Sequence, residues 1–384
     1  MDFAFNEEQR MLRDTIRRMV RRELEPLLAR YPKDKPLPKE ALLEAMRIVQ
    51  PLGFLGARVP PEAGGAGLDH VCYGVLLEET PPVLSLSFMA TEATTTRIFL
   101  GGCESLKQRL LPPLLAGEKI ASTATSEPNV GSDPGGIETK ATLVGDEYVI
   151  NGTKLWATNG SIADILMAVV SLGRDERGQN ILGRLVVERD VSPFQTRDIE
   201  TIGLRQGHLC EVIFDDCRVA QENLVGTPGD THRVMTRTWL THRVANALWG
   251  LHVAQRALDA SITYAKQRKQ FGKVIGSFQL VQSMLAEMAT LIEASRLLCY
   301  KALWLLDQGV WAAKETSMAK CFGAETALRV TSMAMELHGA YGTATELPLE
   351  QYYRDARMFT FPDGTTEINK LIVGRELVGI RAFA

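Results

Sequence analysis

Histidine and cysteine are the side chains best suited to bind a metal ion or to act as a nucleophile, so their spacing is informative. The six histidines lack metal-ligand spacing, apart from His232 and His242, which fall in one helical region. Ten residues separate them, and this spacing does not place two side chains on a shared helix face at ligand distance. The sequence therefore predicts no metal site.

The six cysteines are scattered along the chain. They include no CxxC pair, and such pairs are typical of zinc sites and redox dithiols. We therefore predict reduced, structural thiols. No GxGxxG follows a predicted strand, and neither GxxxxGK[ST] nor HExxH occurs in the sequence. A nicotinamide-binding Rossmann site, a P-loop and a zinc protease site are thus not expected.

Charge and hydropathy are those of an ordinary globular protein. Hydrophobic residues make up 45% of the chain and charged residues 23%, and the net charge of -3 arises from interspersed acidic and basic side chains. This pattern offers no basic groove for a nucleic acid and no polybasic membrane surface. The chain begins with a charged segment and contains no apolar run of membrane-spanning length. We therefore expect a cytoplasmic protein without nucleic-acid or membrane partners.

The elements that must position any site change in type twice along the chain. The pattern predicts short helices over residues 1–120, a small β domain over 121–228 and long amphipathic helices over 229–384. Short connections between long helices favour an antiparallel four-helix bundle. We therefore predict an α+β multidomain protein with an N-terminal helical domain, a middle β-domain and a C-terminal four-helix bundle.

Local patterns refine this prediction. The pair Asn151-Gly152 predicts a tight hairpin turn at the end of a strand. Apolar residues recur at steps of three and four from Phe278 onward and predict a helix that ends near Gly309. A further helix is predicted from Lys314 to His338.

Four stretches together resemble the acyl-CoA dehydrogenase family, over nearly the whole chain. They are similar to the family patterns TEPGAGSD, NGxKxWITN, YAxxRxxFG, and YRDA followed by EGTSEI. Each stretch would be weak alone, but all four occur in order and at family-like spacing. In this sequence the stretches are Ser126–Asp133 (SEPNVGSD), Asn151–Asn159 (NGTKLWATN), Tyr264–Gly272 (YAKQRKQFG), and Tyr353–Arg357 (YRDAR) with Asp363–Ile368 (DGTTEI).

The resemblance implies an FAD-dependent enzyme that removes two hydrogens from the α and β carbons of an acyl thioester. Coenzyme A or an acyl carrier protein would carry the substrate, and an electron-transfer flavoprotein would accept the electrons. A homotetramer or a homodimer is implied as well. The positions implied to bind the cofactor are Ser126, Ser132, Trp156, Thr158, Arg268, Phe271, Gln279, Glu336, Gly339, Thr365 and Glu367.

Several of these residues have a purely structural alternative. Trp156 could fill the core face of a strand, and Arg268 could be a solvated charge near a helix C-terminus. Ser132 is a candidate wall of the thioester channel, but a Ser-Asp pair after glycine is also a common helix cap. Glu336 stands where the family has a glutamine, and a carboxylate is less suited than an amide to lie beside FAD.

The resemblance places the catalytic base at Asp363, where the family has a glutamate that takes the α-proton. Aspartate keeps the carboxylate but loses one methylene, which removes roughly 1.5 Å of reach. Asp363 is therefore predicted to be the base for a substrate whose α carbon lies closer to the loop, such as a short, branched or alicyclic acyl group. Alternatively, Asp363 supports a base supplied elsewhere, or the chain has little dehydrogenase activity.

The alternative base is His242, which with Arg243 stands where some relatives carry a glutamate before an arginine. An imidazole can act as a base near neutral pH, but His242 can equally shape the pocket. Arg243 is expected to orient the Asp363 carboxylate and to keep it charged. Competing functions on the same fold are a flavin oxidase, an enoyl-thioester reductase, an acyl-carrier-protein dehydrogenase and a non-catalytic family member.

Overall fold

The computed structural model of the chain describes residues 4–380. Within this range the helices are α1 (Glu7–Met19), α2 (Glu25–Ala29), α3 (Lys39–Val49), α4 (His70–Glu79), α5 (Pro82–Gly101), α6 (Glu104–Leu115), α7 (Thr231–Gln267), α8 (Gln279–Asp307), α9 (Ala313–His338), α10 (Leu349–Met358) and α11 (Thr366–Val378). The strands in the same range are β1 (Ala121–Ala124), β2 (Lys140–Val144), β3 (Glu147–Thr158), β4 (Ile165–Arg174), β5 (Asn180–Glu188), β6 (Gln195–Asp198), β7 (Leu209–Ala220), β8 (Lys269–Gln270) and β9 (Lys273–Val274).

Helices, then strands, then helices follow one another along the chain, which confirms the predicted α+β fold class. The described residues also separate into two compact units. One unit holds the sheet of β1–β7, and the other holds most of the long C-terminal helices. The first unit comprises residues 4–69, 83–201 and 205–238, and the second comprises residues 70–82, 202–204 and 239–380. The three domain bounds drawn from the sequence stay a prediction.

The sheet of the first unit is mixed. Its strand order is β1-β4-β2-β3-β7-β6, and β5 pairs with β4 as well. β1 runs parallel to β4, with Ala121 opposite Ile165, whereas β3 and β7 are antiparallel. Ile150, Val212 and Phe214 belong to the apolar core of this sheet, because alternate side chains of each strand point to the same face.

The Asn151-Gly152 pair does not end a strand, so the hairpin turn predicted there is wrong. β3 continues through the pair, and the chain turns earlier, at Gly145-Asp146. Asn151 donates from Nδ2 to Asp216 Oδ1 at 2.9 Å, and its Oδ1 accepts from the Asp216 N–H at 2.8 Å. This exchange accompanies a bulge in β7 opposite Asn151, and Gly152 supplies the φ of +143° found next to it.

Two helices of the first unit cover the sheet at β1 and β4. Ile98 on α5 and Leu110 on α6 join an apolar cluster with Ile165 and Met167 of β4. Alternate residues of β4 belong to the core cluster on its other face, so the strand is buried on both sides. A strand that is buried on both faces has a continuous apolar sequence, as β4 has from Ile165 to Val170.

Small residues let α7 and α9 approach closely within the second unit. A Cβ added to Gly323 on α9 would lie 2.6 Å from the Cβ of Ala247 on α7. This distance is below van der Waals contact, so a larger residue would force the helices apart. α8 ends at Asp307, just before Gly309 with its φ of +73°, and α9 ends at His338, both as predicted.

Within residues 4–380, none of the helices combines the length and apolar composition needed to span a bilayer. The same residues contain no group of three or more histidine, cysteine, aspartate or glutamate side chains placed to hold a metal ion.

Candidate active site

Asp363 lies in the loop between α10 and α11, in a backbone conformation that is uncommon for residues other than glycine. Its φ is +54°, in the left-handed region, and Gly364 follows with a φ of +95°. Left-handed backbone costs a residue with a side chain about 1–3 kcal/mol and persists where the surroundings enforce it. α11 then begins, with the Thr365 side-chain oxygen accepting from the Ile368 N–H at 3.3 Å.

Two fully buried side chains hold the backbone of this loop. The Lys320 ammonium on α9 donates to the carbonyl oxygens of Thr360 at 2.6 Å and Gly364 at 2.8 Å. The Asn369 amide on α11 donates to the same Gly364 carbonyl at 2.8 Å. Water does not compete for these bonds, so two helices fix the shape of the loop.

Two side chains of α7 contact the Asp363 carboxylate. Asn246 donates from Nδ2 to Oδ2 at 2.8 Å, and His242 Nδ1 lies 3.6 Å from Oδ1. These residues are four apart and therefore share a helix face. The Asp363 side chain is only 16% exposed, so each of its oxygens faces a protein group with little competition from water.

The surroundings of Asp363 favour its ionised form. Burial raises the pKa of this carboxyl, but the contacts with His242 and Asn246 and the charge of Arg243 outweigh burial and hold the pKa below the ordinary value of 3.8. Burial lowers the pKa of Arg243, and the Asp363 charge opposes that shift. Burial likewise lowers the pKa of Lys320 to about 8. A base must be ionised at working pH, and the lowered pKa of Asp363 favours that form.

Sequence reasoning missed three residues of this site. Asn246 lies four residues after His242, and this helical spacing is the signal that could have indicated it. Lys320 and Asn369 gave no comparable signal, because a lysine or asparagine in an amphipathic helix usually faces solvent. Only the tertiary structure shows that both are buried against the loop.

A second group of predicted residues comes together in the first unit. The Leu155 N–H donates to the Ser126 carbonyl oxygen at 2.8 Å, which places Ser126 beside the strand that carries Trp156. Trp156 has a φ of +63° and is 54% exposed. A register shift in β3 between Lys154 and Ala157 accounts for its outward position. The alternative in which Trp156 fills the core of a strand is therefore wrong.

A buried ion pair connects the Ser126 segment to β3. Lys154 Nζ lies 2.7 Å from Glu127 Oε1, and both side chains are almost fully buried. Glu127 also accepts from the backbone N–H groups of Glu138 at 2.6 Å and Thr139 at 2.9 Å. Burial lowers the pKa of Lys154 to about 8, although Glu127 opposes the shift. Burial raises the pKa of Glu127, but its donors outweigh that effect and the pKa is lowered.

Thr158 and Ser132 flank this segment. Thr158 ends β3, where its carbonyl oxygen accepts from Ser122 Oγ at 2.6 Å and its side chain is half-buried. Ser132 is exposed, and Asp133 rather than Ser132 caps the following turn by accepting from the Gly135 N–H at 3.1 Å. Both Thr158 and Ser132 therefore keep side-chain hydroxyls at or near the surface of the first unit.

A third group of predicted residues lies in the second unit, where the ends of α7 and α9 meet. The Arg268 guanidinium carbon lies 5.8 Å from the centroid of the Tyr341 ring. The rings of Tyr264 and His338 stack with centroids 4.2 Å apart. Gly339 follows α9 with a φ of +62°, a conformation that favours glycine. Arg268 and Gly339 are thus brought to the same end of the helix pair.

The remaining predicted residues of the second unit are exposed. Phe271 is 92% exposed at the tip of the β8–β9 hairpin, and Gln279 begins α8. Glu336 lies in the last turn of α9, and Glu367 lies in the first turn of α11. Their exposure leaves these side chains available to a ligand or a partner.

Comparison with known proteins decides the identity. The N-terminal, middle and C-terminal domains of acyl-CoA dehydrogenases match residues 6–118, 122–217 and 232–378. The chain belongs to the acyl-CoA dehydrogenase family. It is accordingly an oxidoreductase of the acyl-CoA dehydrogenase type, and the members of this family depend on FAD.

Two curated relatives match nearly the whole chain. The protein named "Probable acyl-CoA dehydrogenase YngJ" of Bacillus subtilis is 35% identical over 98% of this chain and 100% of its own length. The short-chain specific acyl-CoA dehydrogenase of rat mitochondria is 34% identical over 97% of this chain and 90% of its own length.

Three solved structures also match this chain over nearly its full length. The butyryl-CoA dehydrogenase of Megasphaera elsdenii has a TM-score of 0.91 at 28% identity, over 98% of this chain and all of that one. A chain from a structure described as the electron transferring flavoprotein of Acidaminococcus fermentans has a TM-score of 0.91 at 31% identity, with the same coverage. The prolyl acyl carrier protein oxidase AnaB has a TM-score of 0.87 at 28% identity, again with the same coverage.

The residues of this acyl-CoA dehydrogenase fit the cofactor of its family. In the first unit, Trp156 presents a large ring outward from a bulged strand, and Ser126 and Thr158 carry hydroxyls next to that strand. An isoalloxazine ring needs an apolar surface of this kind together with hydrogen-bond donors. In the second unit, Arg268 presents an exposed guanidinium near a glycine with positive φ, a combination suited to a pyrophosphate.

Proposed function

We propose that this enzyme uses Asp363 to take the α-proton of an acyl thioester while the β-hydrogen leaves as hydride. The observation that carries the proposal is the environment of the buried Asp363 carboxylate, with Asn246 Nδ2 2.8 Å from Oδ2 and His242 Nδ1 3.6 Å from Oδ1. Its contacts outweigh the effect of burial and keep its pKa below the ordinary value, so it is ionised at neutral pH. An ionised carboxylate shielded from water is suited to accept a proton from a weak carbon acid. FAD, when bound, supplies the acceptor for the hydride.

The α-proton must also be made acidic. Asp363 keeps its backbone N–H, because Pro362 removes only its own, and in this proposal that N–H donates to the thioester carbonyl. This donation stabilises the negative charge that develops on the carbonyl oxygen during proton removal. The left-handed backbone at Asp363 fixes the direction of this N–H relative to the carboxylate of the same residue. One residue would thus both take the proton and stabilise the charge.

Arg243 and His242 support the base in this proposal. Arg243 is buried, and its charge helps to lower the pKa of Asp363. Without that charge the carboxyl would shift toward its neutral, inactive form. His242 lies beside Oδ1 and shapes the pocket on that side of the carboxylate.

We propose a short, branched or alicyclic acyl group as the substrate. The aspartate is shorter than a glutamate by roughly 1.5 Å, so the α carbon must approach the loop more closely. Trp249 is fully buried and packs against Phe359 with ring centroids 6.0 Å apart, which anchors the residue just before the loop. The relatives named for short-chain and butyryl-CoA substrates support a compact acyl group.

The predicted cofactor contacts enter the proposal as follows. The Ser126 and Thr158 hydroxyls would donate to the flavin, and the Trp156 ring would lie against it. The Arg268 guanidinium would bind the pyrophosphate through its fork of donors, and Gly339 would allow close backbone approach. Further contacts come from Phe271, Gln279, Glu336, Thr365 and Glu367, and Ser132 borders the thioester channel.

We also propose that the enzyme acts as a homotetramer or a homodimer and passes its electrons to an electron-transfer flavoprotein. The second unit exposes several large apolar side chains, a pattern that marks protein interfaces. They include Leu280 at 84%, Leu377 at 69%, Trp304 at 54% and Trp311 at 53% exposure. The structural similarity to a chain from the Acidaminococcus electron transferring flavoprotein structure supports the proposed acceptor.

A second candidate function is oxidation of an acyl group carried by an acyl carrier protein. The observation that favours it is the similarity to the prolyl acyl carrier protein oxidase AnaB. The two candidates differ in their reaction with oxygen. A dehydrogenase protects its reduced flavin from oxygen, whereas an oxidase is reoxidised by oxygen in every turnover.

The proposed function is tested by mixing the holoenzyme anaerobically with butyryl-CoA, isobutyryl-CoA and cyclohexanecarbonyl-CoA. We expect at least one to bleach the flavin absorbance and to yield the α,β-unsaturated thioester. Slow reoxidation of the bleached enzyme in air would support a dehydrogenase, and rapid reoxidation would support the oxidase. A flavin that none of these thioesters bleaches would contradict the proposal.

A further inference from the structure

We propose that Asn246 is the positioning residue that fits this active site to an aspartate base. The inference rests on the proposed role of Asp363 and extends it to a residue outside the resemblance. Asn246 Nδ2 lies 2.8 Å from Asp363 Oδ2 and 2.9 Å from the His242 carbonyl oxygen. One amide therefore links the carboxylate to the backbone of α7 one helical turn earlier.

The carbonyl oxygen of the Asn246 side-chain amide indicates that the role of this residue is not to stabilise the fold. Asn246 is fully buried, and its Oδ1 has no hydrogen-bond partner among residues 4–380. A buried acceptor without a partner destabilises the folded state, and an apolar side chain of similar size would avoid that cost. What the amide provides in return is the contact between Nδ2 and the Asp363 carboxylate.

The contacts of Lys320 and Asn369 position the backbone of the loop but not the side chain of Asp363. Lys320 and Asn369 bind carbonyl oxygens of the loop and so fix its backbone. Neither of these bonds restrains rotation of the carboxylate about the side-chain bonds of Asp363. Asn246 supplies that restraint at Oδ2 and leaves Oδ1 facing His242 at 3.6 Å.

The effect of a longer side chain at position 363 on flavin reduction should therefore depend on whether Asn246 is present. A glutamate at position 363 would carry its carboxylate farther by roughly one carbon–carbon bond, about 1.5 Å. With Asn246 Nδ2 already 2.8 Å from Oδ2, the longer carboxylate would collide with the amide or turn away from the substrate. Removing the amide would make room for glutamate while leaving aspartate poorly aimed.

The test compares Asp363→Glu, Asn246→Ala and the double variant as holoenzymes. Butyryl-CoA, isobutyryl-CoA and cyclohexanecarbonyl-CoA serve as probes, and the rate constant of flavin reduction at saturation is measured as a function of pH. Asn246→Val is measured beside Asn246→Ala, because its larger side chain leaves a smaller cavity. Ser261→Ala is the matched control, since Ser261 is fully buried on α7 and donates to the Ala257 carbonyl oxygen of its own helix at 2.8 Å.

We expect Asn246→Ala and Asn246→Val to slow flavin reduction about tenfold or more, with FAD content and thermal stability retained. The acid limb of the pH profile should move upward, because the Asn246 contact helps to lower the pKa of Asp363. Asp363→Glu should be slow alone and faster when Asn246 is alanine. A merely structural asparagine would produce neither the pH shift nor this reversal, and Ser261→Ala should match the wild type.

Different outcomes separate this inference from the proposed function. If Asp363→Asn reduces its flavin at the wild-type rate, Asp363 is not the base and the proposed mechanism fails. If Asp363→Asn is inactive while both Asn246 variants match the wild type, only the positioning role of Asn246 is overturned. A double variant no faster than Asp363→Glu alone would also overturn it. A wild type that none of the three thioesters reduces would contradict both proposals.

Discussion

The segment around Trp156 and the loop around Asp363 are both strained, but they are held in different ways. In the first unit, the Glu127–Lys154 ion pair is almost fully buried and joins two stretches of one sheet domain. In the second unit, the Asp363 loop is held by hydrogen bonds from side chains on three different helices. The first segment is therefore held around a buried pair of opposite charges, whereas the second is held by hydrogen bonds from separate helices.

This difference predicts how each region responds to substitution. Removing one member of a buried ion pair leaves the other charge unpaired, so the loss is large and concentrated in one contact. Removing one donor from the Asp363 loop leaves the other donors in place, so the loss is smaller. This loss should affect the positioning of the Asp363 carboxylate before it affects the free energy of unfolding. The comparison is tested by the following substitutions, from the largest expected effect to the smallest.

Lys154→Met should have the largest effect on stability. The variant leaves the Glu127 carboxylate buried without its ion-pair partner, and we expect the free energy of unfolding to fall by about 3–5 kcal/mol. Urea unfolding of the FAD-depleted and FAD-loaded proteins measures the effect. FAD affinity should fall as well, because the Ser126 segment is no longer tied to β3.

The matched control is the double variant Glu127→Gln with Lys154→Met. It removes both charges, so most of the lost stability should return. A double variant as unstable as Lys154→Met alone would show that the ion pair is not the contact that fixes this segment.

Lys320→Met should have an intermediate effect. It removes the donor to the Thr360 and Gly364 carbonyl oxygens, at a cost of about 1–3 kcal/mol in unfolding free energy. Flavin reduction should slow because the loop that carries Asp363 loses one of its supports, while FAD content stays unchanged. Stopped-flow absorbance and thermal unfolding measure the two effects. Unfolding as severe as that of Lys154→Met would contradict the comparison.

Trp156→Ala should have a smaller effect on folding than either lysine variant. The Trp156 ring is 54% exposed, so its removal takes little packing from the first unit. We expect thermal stability of the FAD-depleted protein to stay near the wild-type value, whereas FAD binding weakens about tenfold. Equilibrium titration with FAD measures this change. Unchanged affinity would remove Trp156 from the proposed cofactor contacts.

The pH dependence of flavin reduction should be slight near neutrality. The folded pKa of Asp363 lies below 3.8 because its contacts outweigh burial. The ionised Asp363 carboxylate therefore stabilises the folded protein at pH values above its unfolded pKa. This stabilisation is lost as the pH falls through the folded pKa. The rate constant of reduction should be flat from pH 7 to about pH 5, where the carboxylate stays ionised. A decline already between pH 7 and pH 6 would indicate that another group acts as the base.

Much of the fold could be predicted from the sequence, because β-branched runs and helical periodicity are local signals. The end of α8 near Gly309 and the α9 helix are examples. The continuation of β3 through Asn151-Gly152 could not be predicted, because the pairing of Asn151 with Asp216 on the neighbouring strand produces a bulge where the local sequence indicates a turn. The contact that overrides the local preference comes from a residue far along the chain.

The candidate site shows the same division. Asp363, Trp156 and Ser126 lie in recognisable motifs, so the resemblance locates them. The groups that hold Asp363 in place are Asn246, Lys320 and Asn369, on three helices. No motif contains them, and their burial follows only from the packing of those helices. Local pattern locates the proposed site residues, and tertiary packing determines what positions them.

The central claim is that the Asp363 carboxylate is the base, and Asp363→Asn tests it most directly. The asparagine has nearly the same size, so the FAD-loaded variant can be mixed with the thioester that best reduces the wild type. We predict unchanged FAD content, normal reduction by dithionite, and thioester-driven reduction slowed about a thousandfold or more. Reduction by the thioester at close to the wild-type rate would contradict the account.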